Sequence, residues 1–67
     1  MKVKNLIKKC KKKKNKEIWI MEYNRDGTID VRNYPINDIP ITELEKEVMD
    51  NYDICDEVDN YIEIYVI

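Results

Sequence analysis

The stretch Glu17-Ile-Trp-Ile-Met-Glu-Tyr-Asn-Arg-Asp-Gly-Thr-Ile-Asp-Val-Arg32 decides how this chain folds. Its first seven residues are rich in strand formers, and Thr28-Ile-Asp-Val-Arg32 alternates apolar and polar side chains. Between them, Asn24-Arg25-Asp26-Gly27 is turn chemistry, so a hairpin is expected over about residues 17–33. The turn is either type I with Gly27 in the left-handed conformation or a two-residue Asp-Gly turn of type I′. The two registers pair Thr28 with Tyr23 or with Arg25, and a shift of two residues leaves the faces unchanged. One face then carries Ile18, Ile20, Ile29 and Val31. The other carries Trp19, Met21, Tyr23, Thr28, Asp30 and Arg32.

Outward from the hairpin, Tyr61-Ile-Glu-Ile-Tyr-Val-Ile67 alternates cleanly and predicts a C-terminal strand over about 61–67, with Ile62, Ile64 and Val66 on one side. Val3, Leu6, Ile7 and Cys10 fall at i, i+3, i+4 and i+7, the stripe of an amphipathic helix over about residues 2–12. Repulsion within the Lys8/Lys12 and Lys9/Lys13 pairs frays its end. Pro35 and Pro40 bracket an irregular passage. Thr42-Glu43-Leu44-Glu45 then reads as a capping box opening a short helix over about 43–51. Leu44 and Val48 share one side of it, and Ile41 and Met49 close that patch. Residues 50–60 form an acidic connector. The fold class is therefore α+β: one small α-β-β-α-β domain, residues 1–67, with a three-stranded sheet and both helices on one face.

Composition excludes more than it assigns. At 67 residues there is room for a single core and none for a deep pocket, while 43% apolar residues suffice for a compact fold. The chain has no His and no Ser, which removes Ser-His and Cys-His nucleophile pairs and His-containing zinc sites. Two cysteines, Cys10 and Cys55, are too few for a four-cysteine zinc site; a single disulfide forms only if the fold brings them together, and the expectation is reduced, buried thiols. No apolar run approaches the ~20 residues that span a bilayer, and the basic start leads into no signal-like apolar segment. The expectation is a cytoplasmic, non-enzymatic protein with no cofactor, no metal, no membrane and no small-molecule substrate.

Charge is divided sharply along the chain. Residues 1–16 hold nine lysines and no acid, whereas residues 17–67 hold Arg25, Arg32 and Lys46 against all 14 acids, a net −11. Attraction between the two regions is the plain structural reading. The abundance of Ile, Lys, Asn and Tyr is also what AT-rich coding produces. The functional alternative is a nucleic-acid-binding accessory protein that uses Lys8, Lys9, Lys11, Lys12, Lys13 and Lys14 to displace phosphate counterions. No nucleic-acid-binding motif accompanies these lysines, and the acidic remainder opposes a polyanion.

Two stretches imitate metal sites. Residues 22–33 match much of a calcium-binding EF-hand loop through Asn24, Asp26, Gly27, Ile29 and Asp30. However, Asn33 stands where the bidentate Glu belongs, and strands rather than helices flank the loop. The string Asp50, Asp53, Asp56, Glu57 and Asp59 has nothing in its spacing that forces its oxygens together, and it reads as solvated acidic surface.

If the C-terminal strand joins the hairpin, Trp19, Met21, Tyr23, Tyr61 and Tyr65 gather on the side opposite the Ile/Val core. Such residues concentrate at interface centres. Either a partner covers them, or the first helix or basic stems do, for example Arg32 over Trp19.

The opening Met1-Lys-Val-Lys-Asn-Leu-Ile7, the Ile-rich hairpin, Asp38-Ile39-Pro40, the Leu44/Val48 helix and the closing Ile-x-Ile-x-Val together resemble small proteins of phages and prophages of low-GC Gram-positive bacteria. These mostly lack an assigned activity, so no functional residue transfers. The resemblance implies a mobile-element setting, where small acidic proteins often block host proteins, some by imitating nucleic-acid charge, as several anti-CRISPR proteins do. The function expected is binding of a host or phage protein through Trp19, Met21, Tyr23, Tyr61, Tyr65, Asp53, Asp56 and Glu57. A homodimer covering its own aromatic face is the third reading.

Overall fold

A computed structural model describes residues 1–10, 17–50, 56–57 and 61–67. The elements run α1 (Val3–Lys9), β1 (Glu17–Tyr23), β2 (Ile29–Pro35), α2 (Ile41–Leu44), β3 (Asp56–Glu57) and β4 (Tyr61–Val66). This is the expected α+β arrangement, α-β-β-α-β with a mixed three-stranded sheet. It is extended by the two-residue β3 inside the stretch read as a connector, giving the order β2-β1-β4-β3. Strand β1 pairs antiparallel with β2 and parallel with β4, in a register that sets Ile18 beside Ile62 and Ile20 beside Ile64. Those four residues, with Val66, Val48, and Val3, Leu6 and Cys10 of the α1 stripe, form the buried core. Leu44 packs against the same cluster, so both helices cover one face of the sheet.

The hairpin departs from both expected registers. Asn24 pairs with Thr28 and Tyr23 with Ile29. The turn itself is the expected type I: the Gly27 N–H donates to the Asn24 carbonyl at 3.1 Å, and Gly27 sits at φ +88°. A type I turn followed by a left-handed glycine closes a three-residue loop with a bulge, which offsets the partner strand by one residue. Asp26 locks the loop by accepting the Thr28 backbone N–H at 3.0 Å and its hydroxyl at 2.6 Å. Because side chains alternate with period two, that single residue turns all of β2 over. Ile29 and Val31 lie on the outer face, 46% and 51% exposed, instead of in the core. Arg32 and Tyr34 take their place on the core side, so Arg32 does not cover Trp19.

Both helices are shorter than their sequence patterns suggest. The first ends at Lys9, and Cys10 is already extended at φ −73°, ψ 130°. The second is a single turn capped by Pro40 without a side-chain cap bond, so the Thr42–Glu45 box does not form. The expected continuation over 45–50 loses to tertiary bonding of the same backbone. The Val3 N–H reaches the Lys46 carbonyl, the Val48 N–H the Met1 carbonyl, the Met49 N–H the Tyr65 carbonyl, and the Ile67 N–H the Glu47 carbonyl. Val48 is therefore buried as a bridge to Val66 and not as part of a helical stripe, and Ile41 is 75% exposed instead of closing a patch.

Cys10 is disulfide-bonded, which corrects the expectation of reduced thiols. Its sulfur is buried 3.5 Å from the Leu6 carbonyl oxygen. Composition carries no information on whether two cysteines meet in space, which is what decides the bond. The chain's other cysteine, Cys55, lies outside the described residues.

Candidate functional site

The outer sheet face gathers the five large side chains named from the sequence. On β1, Trp19, Met21 and Tyr23 point outward because Ile18 and Ile20 point in. The parallel register sets Met21 beside Tyr65 and Trp19 beside Glu63. Trp19 stacks on Tyr61 with ring centroids 4.4 Å apart, and Tyr23 lies parallel to Tyr65 at 6.3 Å. The Tyr65 hydroxyl donates to Glu63 Oε2 at 3.0 Å. The Trp19 indole N–H is enclosed and has no hydrogen-bond acceptor among the described residues. The register of β2 then adds Ile29 next to Tyr23 and Val31 next to Met21, two contributors that the sequence reading assigned to the core. The face thus runs across three strands, with Tyr23, Ile29 and Val31 its most exposed members.

On the opposite face, the turned β2 brings together a charge network that sequence reasoning missed. Glu43, on the single turn of α2, is 3% exposed. It accepts Arg32 Nε at 2.6 Å and Arg32 Nη2 at 3.1 Å through its two oxygens, and the Tyr34 hydroxyl at 2.9 Å. Arg32 Nη2 also reaches Glu22 at 2.7 Å, and Lys46 lies 3.4 Å from Glu22 and 3.9 Å from Glu43. Burial pushes the Glu43 carboxyl up, but the hydrogen bonds and charges of Arg32, Tyr34 and Lys46 outweigh it and hold Glu43 below its ordinary range. The Arg32 hydrogen bond lowers Glu22 likewise, and Glu43 above all raises Arg32. Burial and the Glu43 charge raise the Tyr34 phenol. A forked guanidinium held between two carboxylates pins α2 to the sheet. The one available signal was Gly27: a three-residue loop at Arg25-Asp26-Gly27 would have placed Arg32 and Tyr34 inward.

The remaining predicted positions divide. Lys8 and Lys9 are exposed at the end of α1, while Lys11, Lys12, Lys13 and Lys14 lie outside the described residues. The attraction between basic start and acidic remainder is partly realised. Lys2 and Lys4 both pair with Glu45, at 2.9 and 3.2 Å, and the Met1 ammonium with Glu47 at 3.1 Å. Hydrogen bonding to Glu45 raises Lys2, and the same bond lowers Glu45. Asp56 and Glu57 are placed by backbone alone, on β3 opposite Glu63 and Ile62, and Asp53 lies outside the described residues. The EF-hand-like stretch is a hairpin loop with a strand on either side, and its Asp26 carboxylate is occupied by Thr28. A cleft of about 280 Å³ opens between α1 and the 36–44 segment, with Ile7, Ile36, Ile39 and Leu44 as its floor and Lys4 and Lys8 at its rim. Among the described residues, no helix is long and apolar enough to cross a membrane.

No family model matches this chain, and neither a curated protein nor a solved structure is similar to it.

Proposed function

We propose that this is a non-enzymatic interaction protein of a phage or other mobile element that binds a host or phage protein through the outer sheet face. The observation that carries the reading is the continuity of that face. Trp19, Met21, Tyr23, Tyr61 and Tyr65 are joined by the half-exposed Ile29 and Val31, on a surface where a soluble monomer usually keeps polar residues. Asp53, Asp56 and Glu57 enter the reading through their sequence charge, which suits inhibition of the partner or imitation of nucleic-acid charge. The site of action is the host cytoplasm.

The test is capture of partners from host lysate with the full chain, compared with Tyr23→Glu, with Val31→Asp, and with Asp53, Asp56 and Glu57 neutralised. Loss of the same partner in the first two variants is expected, with partial loss in the third. Undiminished recovery in all three removes the face from consideration.

A second reading rests on Lys8 and Lys9, which are exposed and have no acidic partner among the described residues. Together with Lys11 to Lys14 they would hold a nucleic acid through its phosphates. A gel-shift titration at low and high salt decides it, since phosphate-driven binding must weaken steeply as salt rises.

A further inference from the structure

Strand β2 is the terminal strand of the sheet, so among the described residues one of its edges faces no other strand. The Asn24 N–H bonds the Thr28 carbonyl at 2.8 Å, and antiparallel ladders alternate bonded with non-bonded pairs. Asp30, Arg32 and Tyr34 therefore direct their backbone groups to β1, and Ile29, Val31 and Asn33 direct theirs to the open edge. Among the described residues, none of the latter three makes a backbone hydrogen bond outside the sheet ladder. Edge strands are ordinarily blunted by charged side chains, lysine above all, by proline or by a bulge, and the charges on this one, Asp30 and Arg32, are of opposite sign. Between Ile29 and Tyr34 this strand has neither lysine nor proline, and Pro35 only closes its end.

We propose that this edge pairs with the same strand of a second copy, antiparallel about a two-fold axis through Val31. Val31 then faces Val31 of the second copy across a bonded pair. Ile29 faces Asn33, and Asp30 faces Arg32, each of these pairs occurring twice. Charge selects this register among those that keep the edge amides bonded. Displacing the axis by one residue sets Asp30 against Asp30, and displacing it the other way sets Arg32 against Arg32. The guanidinium is prepared for the contact. Its Nε and Nη2 are engaged by Glu43 and Glu22, whereas among the described residues Nη1 has only Asp30 of its own chain at 3.9 Å, beyond hydrogen-bond length. Asp30 is well exposed. The pairing doubles the sheet and sets the outer-face Ile29 and Val31 of both copies side by side. So short an edge makes a small interface, and the pairing expected is a weak, concentration-dependent one. The inference rests on the backbone edge of β2 and shares with the proposed partner face only Ile29 and Val31, not Trp19, Met21 or the tyrosines.

Sedimentation equilibrium of the full chain from about 10 μM to about 1 mM should show a monomer–dimer equilibrium. Over the same range, amide shifts of Ile29, Val31 and Asn33 should move more than those of Asp30 and Arg32. A synthetic chain N-methylated at Val31 loses the edge donor but keeps every β1 bond and side chain. Two bonds disappear per dimer, so the association constant should drop at least about tenfold. Asp30→Lys sets like charges opposite Arg32 of the second copy and should also weaken association, an independent reading should the methylated chain fold poorly. Tyr23→Glu should leave dimerisation unchanged, which separates this edge from the aromatic face. A chain monomeric at about 1 mM, or association unaffected by both Val31 methylation and Asp30→Lys, overturns the proposal.

Discussion

Glu43 shows how one buried carboxylate organises its surroundings. It is nearly inaccessible, and the guanidinium fork and phenol satisfy its oxygens, so removing its charge strands Arg32 at the helix–sheet junction. Glu43→Gln should cost about 2–3 kcal/mol in urea unfolding, below the full loss for a wholly buried pair because Glu22 still engages Arg32. A double-mutant cycle with Arg32→Met should return a coupling of similar size. The pH dependence follows from the same residues. Glu43 and Glu22 both hold their protons less tightly folded than unfolded, so their contribution is complete above the unfolded carboxyl value of about 4.3 and is lost as acidification passes through the still lower folded values. Melting temperature should therefore fall on acidification below about pH 4.5, and Glu43→Gln should flatten that decline.

The hairpin decides which apolar residues matter. Ile20→Ala or Ile64→Ala should cost about 2–5 kcal/mol, because both side chains are fully enclosed. Ile29→Thr and Val31→Thr, equally apolar in the sequence, should stay within about 0.5 kcal/mol. Gly27→Ala meets no steric obstacle, yet it should lose about 1 kcal/mol from its left-handed backbone alone. The strands were legible because their alternation is local: β1 and β4 occupy nearly their expected spans, and Ile18, Ile20, Ile62, Ile64 and Val66 face inward as read. The register was not, because the bulge at left-handed Gly27 sets the pairing one residue away from both registers read from the same Asp-Gly, and periodicity within a strand cannot see its neighbour. Helix ends were misread for a related reason. The bonds that stop α2 come from Met1 and Tyr65, far away along the chain. For the candidate site, the five aromatic and Met positions on β1 and β4 were readable. Ile29, Val31 and the Arg32–Glu43 pair were hidden behind the register.

At the level of the whole molecule, charge segregation along the chain becomes contact in space, as α1 and the first residues lean on Glu45 and Glu47. These pairs are exposed and orient the helix more than they hold it. The disulfide acts on the unfolded chain. Reductant should lower unfolding free energy by about 2–4 kcal/mol, a difference that Cys10→Ala should abolish, and the oxidised protein should show no thiol to a titrating reagent. The centre of the sheet joins β1 to β4, distant in sequence, so its parallel pairing follows the local hairpin in time. A ribosome whose exit tunnel still shelters residues 61–66 thus displays a finished ribbon with Ile18 and Ile20 wetted. During that interval the nascent polypeptide is at its most vulnerable to capture by chaperones or to clumping with its neighbours on a polysome.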